Sequence, residues 1–499
     1  MNENPFEKLS ASYLIDLSTR VLEVDNAPNS FEEISNHHIN YGSDLLLAAT
    51  KKYGGMYSNV PKLSKGQLQV VAKLEHEYDH LRRVAGTSFG HLLAALFAKK
   101  IDHALRLVDW DGESQVDFVD RDHEFVKNLK RASDVREAAF VMLADSPIPG
   151  SYSAECVASA LTALCNLGGG ATVQLGNKPF RDILPSVRTT RGARVLGAQA
   201  LLEFFAVGKE SSYAAFAIDK SAVPVEDYRK VTLYNLVGAI WRDLYQFPMP
   251  VVSAESWTED AQPLNGKRFP IELYAAVDLA LWVPFTPDGW VQGMEWLDVH
   301  PGWRFLKILD LLKATDKPMT PFSSADAMTD EHFEGLQAEW AIQLGWPKAS
   351  ELARDWLAAL ESILDIHQKT DRCDVPWTIS DDSWRWRGDA DYLRTKIKHP
   401  GLSVITRPAT HGYSHLWFQM LLAEDPKSER MNFYTPPSLE SHLAKMGYTF
   451  PPSLTLQVVS EGILARADNP KSRLSRRVER LTDYAYTMLK DCRTYHSRS

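Results

Sequence analysis

Cysteine is scarce in this 499-residue chain: Cys156, Cys165, Cys373 and Cys492 are the only four, widely scattered and without a C-x-x-C pair. Neither a disulfide framework nor a cysteine-built zinc cluster follows from them, and a reducing compartment fits best. No apolar run reaches the roughly 18 residues needed to cross a bilayer. The amino terminus, Met1-Asn2-Glu3-Asn4-Pro5, has neither the basic nor the apolar region of an export signal. The expectation is a cytoplasmic protein with no membrane partner. Positive charge is in deficit as well, with 55 Lys and Arg against 64 Asp and Glu and a formal net charge of −9. That argues against a polyanion binder and makes nucleic acid an unexpected partner. One region runs the other way: from Arg466 to Ser499 there are nine basic residues against four acidic ones. Leu474, Val478, Leu481 and Ala485 form a helical stripe there, so a docked amphipathic helix with a solvated basic face is the favoured reading.

What the chain does carry is one short pattern in which residue order implies a reaction. His76, Glu77 and His80, within Leu74-Glu75-His76-Glu77-Tyr78-Asp79-His80, spell H-E-x-x-H. Four residues along a helix bring two imidazoles to one face, where both can ligate one zinc ion, and the glutamate between them reaches a water on that ion. Residues 67 to 84 read as a helix at 100° per residue: Val70, Val71, Leu74, Tyr78 and Leu81 cluster on one side, and Gln69, Lys73, His76, His80 and Arg83 nearly opposite. The expectation is a helix with its back in the core and its imidazoles facing a cleft. An ordinary surface helix with two solvated histidines would show the same pattern.

A zinc site needs a third protein ligand. The elongated form H-E-x-x-H-x-x-G-x-x-H is excluded, because Arg83 and Gly86 stand where glycine and histidine are required. His91 lies beyond a helix break expected at Gly86-Thr87-Ser88 and is a minor candidate. Glu203 is the better one. It sits in Val195 to Val207, a segment apolar on nearly every side, where an unpaired carboxylate costs several kcal/mol and must find a cation, a hydrogen-bond network or a metal. Arg191 or Arg194 is the competing partner. Asp278, in an equally apolar run, is expected as a residue that orients an imidazole from behind.

His76-Glu77-x-x-His80 followed at long distance by Glu203-x-x-Ala206 resembles the gluzincin branch of the zincin metallopeptidases. More narrowly, Leu74 to Leu81, Gly86-Thr87-Ser88-Phe89-Gly90 and Leu196 to Glu203 are similar to a loose group of uncharacterised bacterial proteins with an H-E-Y-x-H helix. The resemblance covers about residues 65 to 210. It implies a zincin-like fold, zinc held by His76, His80 and Glu203, and hydrolysis of a peptide or protein substrate with Glu77 as general base. No residue matches the tyrosine or histidine that helps stabilise the oxyanion in that superfamily. Two other readings stay open: a catalytically degenerate zincin-like module for binding or regulation, and a helical scaffold whose motif is accidental.

The fold class expected is mainly α with some β: a zincin-like helical half with a small sheet over 1–255, then a tryptophan-rich, mostly helical domain over 256–499. Candidate helices lie within 7–24, 42–53, 89–107, 122–145, 153–166, 226–245, 270–282, 303–314, 331–344, 350–368 and 474–491. Gly168-Gly169-Gly170 reads as a turn into a short strand over 171–177, not as a phosphate cradle, so no nucleotide site is expected. The tryptophans from Trp282 to Trp417 are read as core, with a surface for a protein partner as the lesser alternative. His411 and His415 repeat the i, i+4 spacing without the glutamate and are read as a structural pair.

Overall fold

The computed structural model describes residues 12–16, 21–25, 30–42, 44–49, 54–109, 117–144, 152–167, 183–189, 192–213, 232–247, 269–315, 329–369, 383–401, 419–423 and 431–434, with isolated residues elsewhere. The molecule is mainly helical. In chain order the helices are α1 (Phe31–Tyr41), α2 (Asp44–Ala48), α3 (Lys65–Ala85), α4 (Ser88–Leu105), α5 (His123–Leu143), α6 (Ala154–Asn166) and α7 (Ala198–Tyr213). After these come α8 (Leu236–Ala239, continued as a π turn over Ile240–Leu244), α9 (Ile271–Leu281), α10 (Trp296–Val299), α11 (Pro301–Thr315), α12 (Asp330–Leu344), α13 (Ala349–Lys369) and α14 (Ser383–Lys398).

Strands are short. The largest sheet has four, in the order β1 (Ser12–Asp16), β2 (Val21–Asp25), β9 (Gln419–Ala423), β10 (Met431–Tyr434), with β2 and β9 parallel and the outer pairs antiparallel. Among the described residues there are also three two-stranded ribbons: β3 (Val108–Asp109) with β4 (Asp117–Phe118), β5 (Ser186–Thr189) with β6 (Gly192–Val195), and β7 (Phe285–Thr286) with β8 (Gly289–Trp290). The helix expected within 7–24 is therefore a hairpin. Its second strand, Val-Leu-Glu-Val-Asp, alternates apolar and acidic residues, and Leu22 and Val24 are buried, which is a period of two and not of 3.6. The helix expected at 474–491, the strand over 171–177 and the His411/His415 pair lie outside the described residues, apart from Val173, whose carbonyl faces the Cys165 thiol.

The main hydrophobic core among the described residues runs from Leu22 to Leu393, and α9, wholly buried, lies within it. It crosses the boundary expected at 255, as does the pairing of β2 with β9. Trp282, Trp290, Trp296, Trp340 and Trp346 are part of that core, with Trp303 and Trp356 packed against it, while the side chains of Trp377, Trp384, Trp386 and Trp417 lie outside the described residues. Trp290, Trp296, Trp303 and Trp356 each donate the indole N–H to a backbone carbonyl, so the ring packs while its one donor is satisfied. Arg304 closes the end of α9. Fully buried against the Trp346 ring, it donates to the carbonyls of Leu279, Ala280 and Trp282 at the C-terminal end of the helix, where intrahelical donors run out.

Helix α3 holds the H-E-x-x-H residues, and its start is fixed locally. Ser64 and Gln67 form a reciprocal capping box, the Ser64 hydroxyl accepting from the Gln67 N–H and the Gln67 side chain accepting from the Ser64 N–H. The helix ends at Gly86, and α4 follows after Thr87, as the expected break requires. A Cβ at Gly90 would overlap the Val84 carbonyl, so glycine is what lets α4 turn tightly back on α3.

Candidate metal centre

From Leu74 to Ala85 every residue of α3 except Tyr78 is buried. The histidine face does not look onto an open cleft as the amphipathic pattern suggests; it packs against α7. His76, His80 and Glu203 are only 8%, 2% and 6% exposed. A second apolar helix covers the polar stripe, and it brings its own carboxylates. Gly197 precedes α7, and a Cβ there would strike the Leu143 carbonyl and Ala144, so its absence lets α7 start against the end of α5.

The three residues expected as ligands converge. His76 Nε2 and His80 Nε2 lie 3.2 Å apart, His76 Nε2 is 3.2 Å from Glu203 Oε2, and His80 Nε2 is 3.5 Å from Glu203 Oε1. Ligands 2.0–2.1 Å from a tetrahedral zinc are separated by about 3.3 Å along each edge. Among the described residues this is the group of imidazole and carboxylate donors arranged to share an ion. Glu77 Oε1 is 4.0 Å from His76 Nε2, beside this group.

Two groups that the sequence reading did not name hold the ligands in place. Glu210, two turns after Glu203 on the same face of α7, faces His76 Nδ1 at 3.0 Å through its Oε2, while its Oε1 meets Lys73 of α3 at 3.5 Å. A carboxylate behind a ligating imidazole fixes the ring's tautomer and makes its other nitrogen the donor. Gln199, one turn before Glu203, donates its amide to Glu203 Oε1 at 3.0 Å. Gln199, Glu203 and Glu210 stand at i, i+4 and i+11 on one face of α7, and that spacing was the available signal.

Electrostatics mark this cluster as unusual. Burial alone pushes a histidine down, as at His300, which donates to the Val141 carbonyl and is depressed to about 4. Burial also opposes charge on His76, yet hydrogen bonding to Glu203 and Glu210 overrides it and raises the ring to about 10. Glu203 would be raised by burial, but His80 and His76 hold it well below the ordinary carboxylate range. The site favours positive charge at the point where the ring nitrogens meet. A proton or a divalent cation held between His76, His80 and Glu203 would meet that demand.

Asp278 and His91 fall elsewhere. Asp278 orients no imidazole among the described residues; its carboxylate accepts from Lys396 Nζ at 2.9 Å, from Gln337 at 3.0 Å and from Trp282 at 3.3 Å, and lies 3.5 Å from Arg83. Arg83 in turn bonds Asp79, the residue before His80, at 3.2 Å. His91 stacks on Trp356 with centroids 4.4 Å apart. Comparisons with protein-family models, with curated proteins and with solved structures return no match. The geometry and chemistry of the cluster therefore carry the functional reading.

Proposed function

We propose that this chain is a zinc-dependent hydrolase acting on peptide bonds of a peptide or protein substrate, in the cytoplasm, with His76, His80 and Glu203 as metal ligands. The observation that carries the reading is the convergence of three donor groups, with the two imidazole Nε2 atoms 3.2 Å apart and each within 3.5 Å of one oxygen of the Glu203 carboxylate. Two neutral imidazoles and one carboxylate leave a fourth position open, the pattern of catalytic and not structural zinc. When bound, the metal would polarise a carbonyl and bring the pKa of water toward neutrality. Glu77 then takes the proton from the attacking water and returns it to the leaving amine. Glu210 keeps the His76 Nδ1 proton so that Nε2 stays a donor, and Gln199 holds one oxygen of Glu203 in position.

The deep burial of the same residues favours a second reading, a metal-holding module that binds a partner without turnover. Glu77→Gln separates the two. In a hydrolase it keeps the zinc and loses at least about 100-fold in peptide cleavage, assayed on a mixed peptide library by mass spectrometry. Wild-type protein that carries zinc and cuts no peptide would leave the second reading standing.

A further inference from the structure

Two helices share the candidate ligands, His76 and His80 on α3 and Glu203 on α7, so the centre exists in one register of α7 on α3. A slip of one residue along a helix is about 1.5 Å, whereas a metal site tolerates deviations of about 0.2 Å in its bond lengths. Around Glu203, α7 is apolar: Leu201, Leu202, Phe204, Phe205 and Ala206 are all buried. Apolar contacts are non-directional and hold two helices together more than they choose a register.

Six residues beyond Glu203, α7 buries a lysine. Lys209 Nζ pairs with Oδ1 of Asp79, the residue before His80, and the two side chains are 6% and 0% exposed. The other oxygen, Asp79 Oδ2, accepts from Arg83 Nε at 3.2 Å, and the Arg83 guanidinium lies 3.3 Å from the centre of the Phe205 ring on α7. Asp79 is therefore gripped at one oxygen by its own helix and at the other by α7.

Adhesion alone does not call for this pair. Burial and the nearby Arg82 oppose the charge on Lys209, and well-packed apolar side chains of similar volume are often at least as stable as a buried ion pair. What a buried pair adds is alignment: each charge is satisfied in one register and stranded in the next. Its location suits that task. Asp79 adjoins His80 on α3, and Lys209 adjoins Glu210, the carboxylate behind His76, on α7.

We propose that Lys209 is a positioning residue for the metal centre, its ion pair with Asp79 setting the register of α7 on α3 and so holding Glu203 opposite His76 and His80. This role rests on the metal-centre reading and is independent of whether the centre hydrolyses anything. The sign of the effect separates positioning from a simple field. Lys209 is a cation near a site for a cation, so through space alone its removal would tighten zinc; as the residue that sets register, its removal loosens zinc.

Zinc affinity by chelator competition tests this on wild-type protein, Lys209→Met, Asp79→Asn and the double variant, each checked for fold by circular dichroism. Lys209→Met should weaken zinc at least about tenfold. The double variant should lie within about twofold of Lys209→Met, because the second change finds the pair already broken. Saturated with cobalt(II), Lys209→Met should lose the intense visible absorption of a tetrahedral site. Zinc bound by Lys209→Met as tightly as by wild type, or more tightly, would overturn the proposal, as would independent, multiplying effects of the two changes. Should Lys209→Met not fold, Asp79→Asn, which keeps the size of the side chain, decides: an altered cobalt(II) spectrum supports the role and an unchanged one overturns it. A wild-type chain that takes up no zinc would remove the metal-centre reading itself, whereas zinc held equally by wild type and Lys209→Met removes the role of Lys209 alone.

Discussion

Helix α3 carries two buried polar clusters that differ in one respect. On the α7 side, His76 and His80 meet Glu203 and Glu210, so the carboxylates face titratable rings, with the exposed Lys73 as the one permanent cation at the edge. Around the rest of the helix each acid has permanent cations: Glu75 has Arg82, Asp79 has Arg83 and Lys209, and Asp278 has Arg83 and Lys396. Burial would raise Glu75, yet Arg82 and His38 bring it down to about 2, and Asp79 is held low by Lys209 and Arg83. Burial and the nearby Arg82 push Lys209 down to about 8. In the second cluster every carboxylate is paired with a permanent cation as folded. The first is complete only with a proton or a metal on its imidazoles, and this contrast makes one of them a candidate centre and the other a frame.

The largest effect that would break the contrast is on the frame. Asp278→Ala strands Lys396 in the core, leaves Arg83 with Asp79 alone, and should cost about 3–5 kcal/mol in denaturant unfolding, the range for removing one partner of a buried pair. A loss under about 1 kcal/mol would mean the frame is not structural. At the metal side, Glu210→Gln should leave the fold intact and weaken zinc about 10- to 100-fold, read by competition with a chromogenic chelator. Equal affinity would remove Glu210 from the site.

The pH dependence sharpens the same distinction. The folded pKa of His76, about 10, lies above its ordinary 6.5, so without metal its ion pairs contribute fully below about 6.5 and fade as the pH rises toward 10. Zinc must displace that proton. The gain in stability on adding zinc should therefore widen with pH above neutrality, by up to about 1.4 kcal/mol per unit. A gap independent of pH between about 7 and 8.5 would contradict the assignment of the proton to His76. The smallest effect belongs to Lys73→Ala, an exposed partner of Glu210, worth at most about 1 kcal/mol in thermal unfolding.

Much of the site was legible because its spacing is local. The i, i+4 imidazoles show in the residue order, and Glu203 stands out as an acid in an apolar helix 123 positions after His80. Glu210 was harder, since it lies near the polar end of α7, where a glutamate draws no notice. The burial of the histidine face was not visible, because amphipathicity reports which residues are polar and not what covers them. Asp278 was rightly read as a buried acid in need of a partner, but only tertiary structure shows that the partners are Arg83 and Lys396. The β1–β2 hairpin was missed because a short alternating run competes with a helical reading, and its parallel partner β9 comes from nearly 400 residues away.

Elemental analysis for zinc, on purified wild-type protein and on His80→Ala checked for fold by circular dichroism, tests the central claim most directly. The account predicts about one zinc per wild-type chain, lost in a folded His80→Ala. A wild-type chain that holds no divalent metal even after reconstitution, or a folded His80→Ala that retains it, would contradict the claim that His76, His80 and Glu203 form a metal centre.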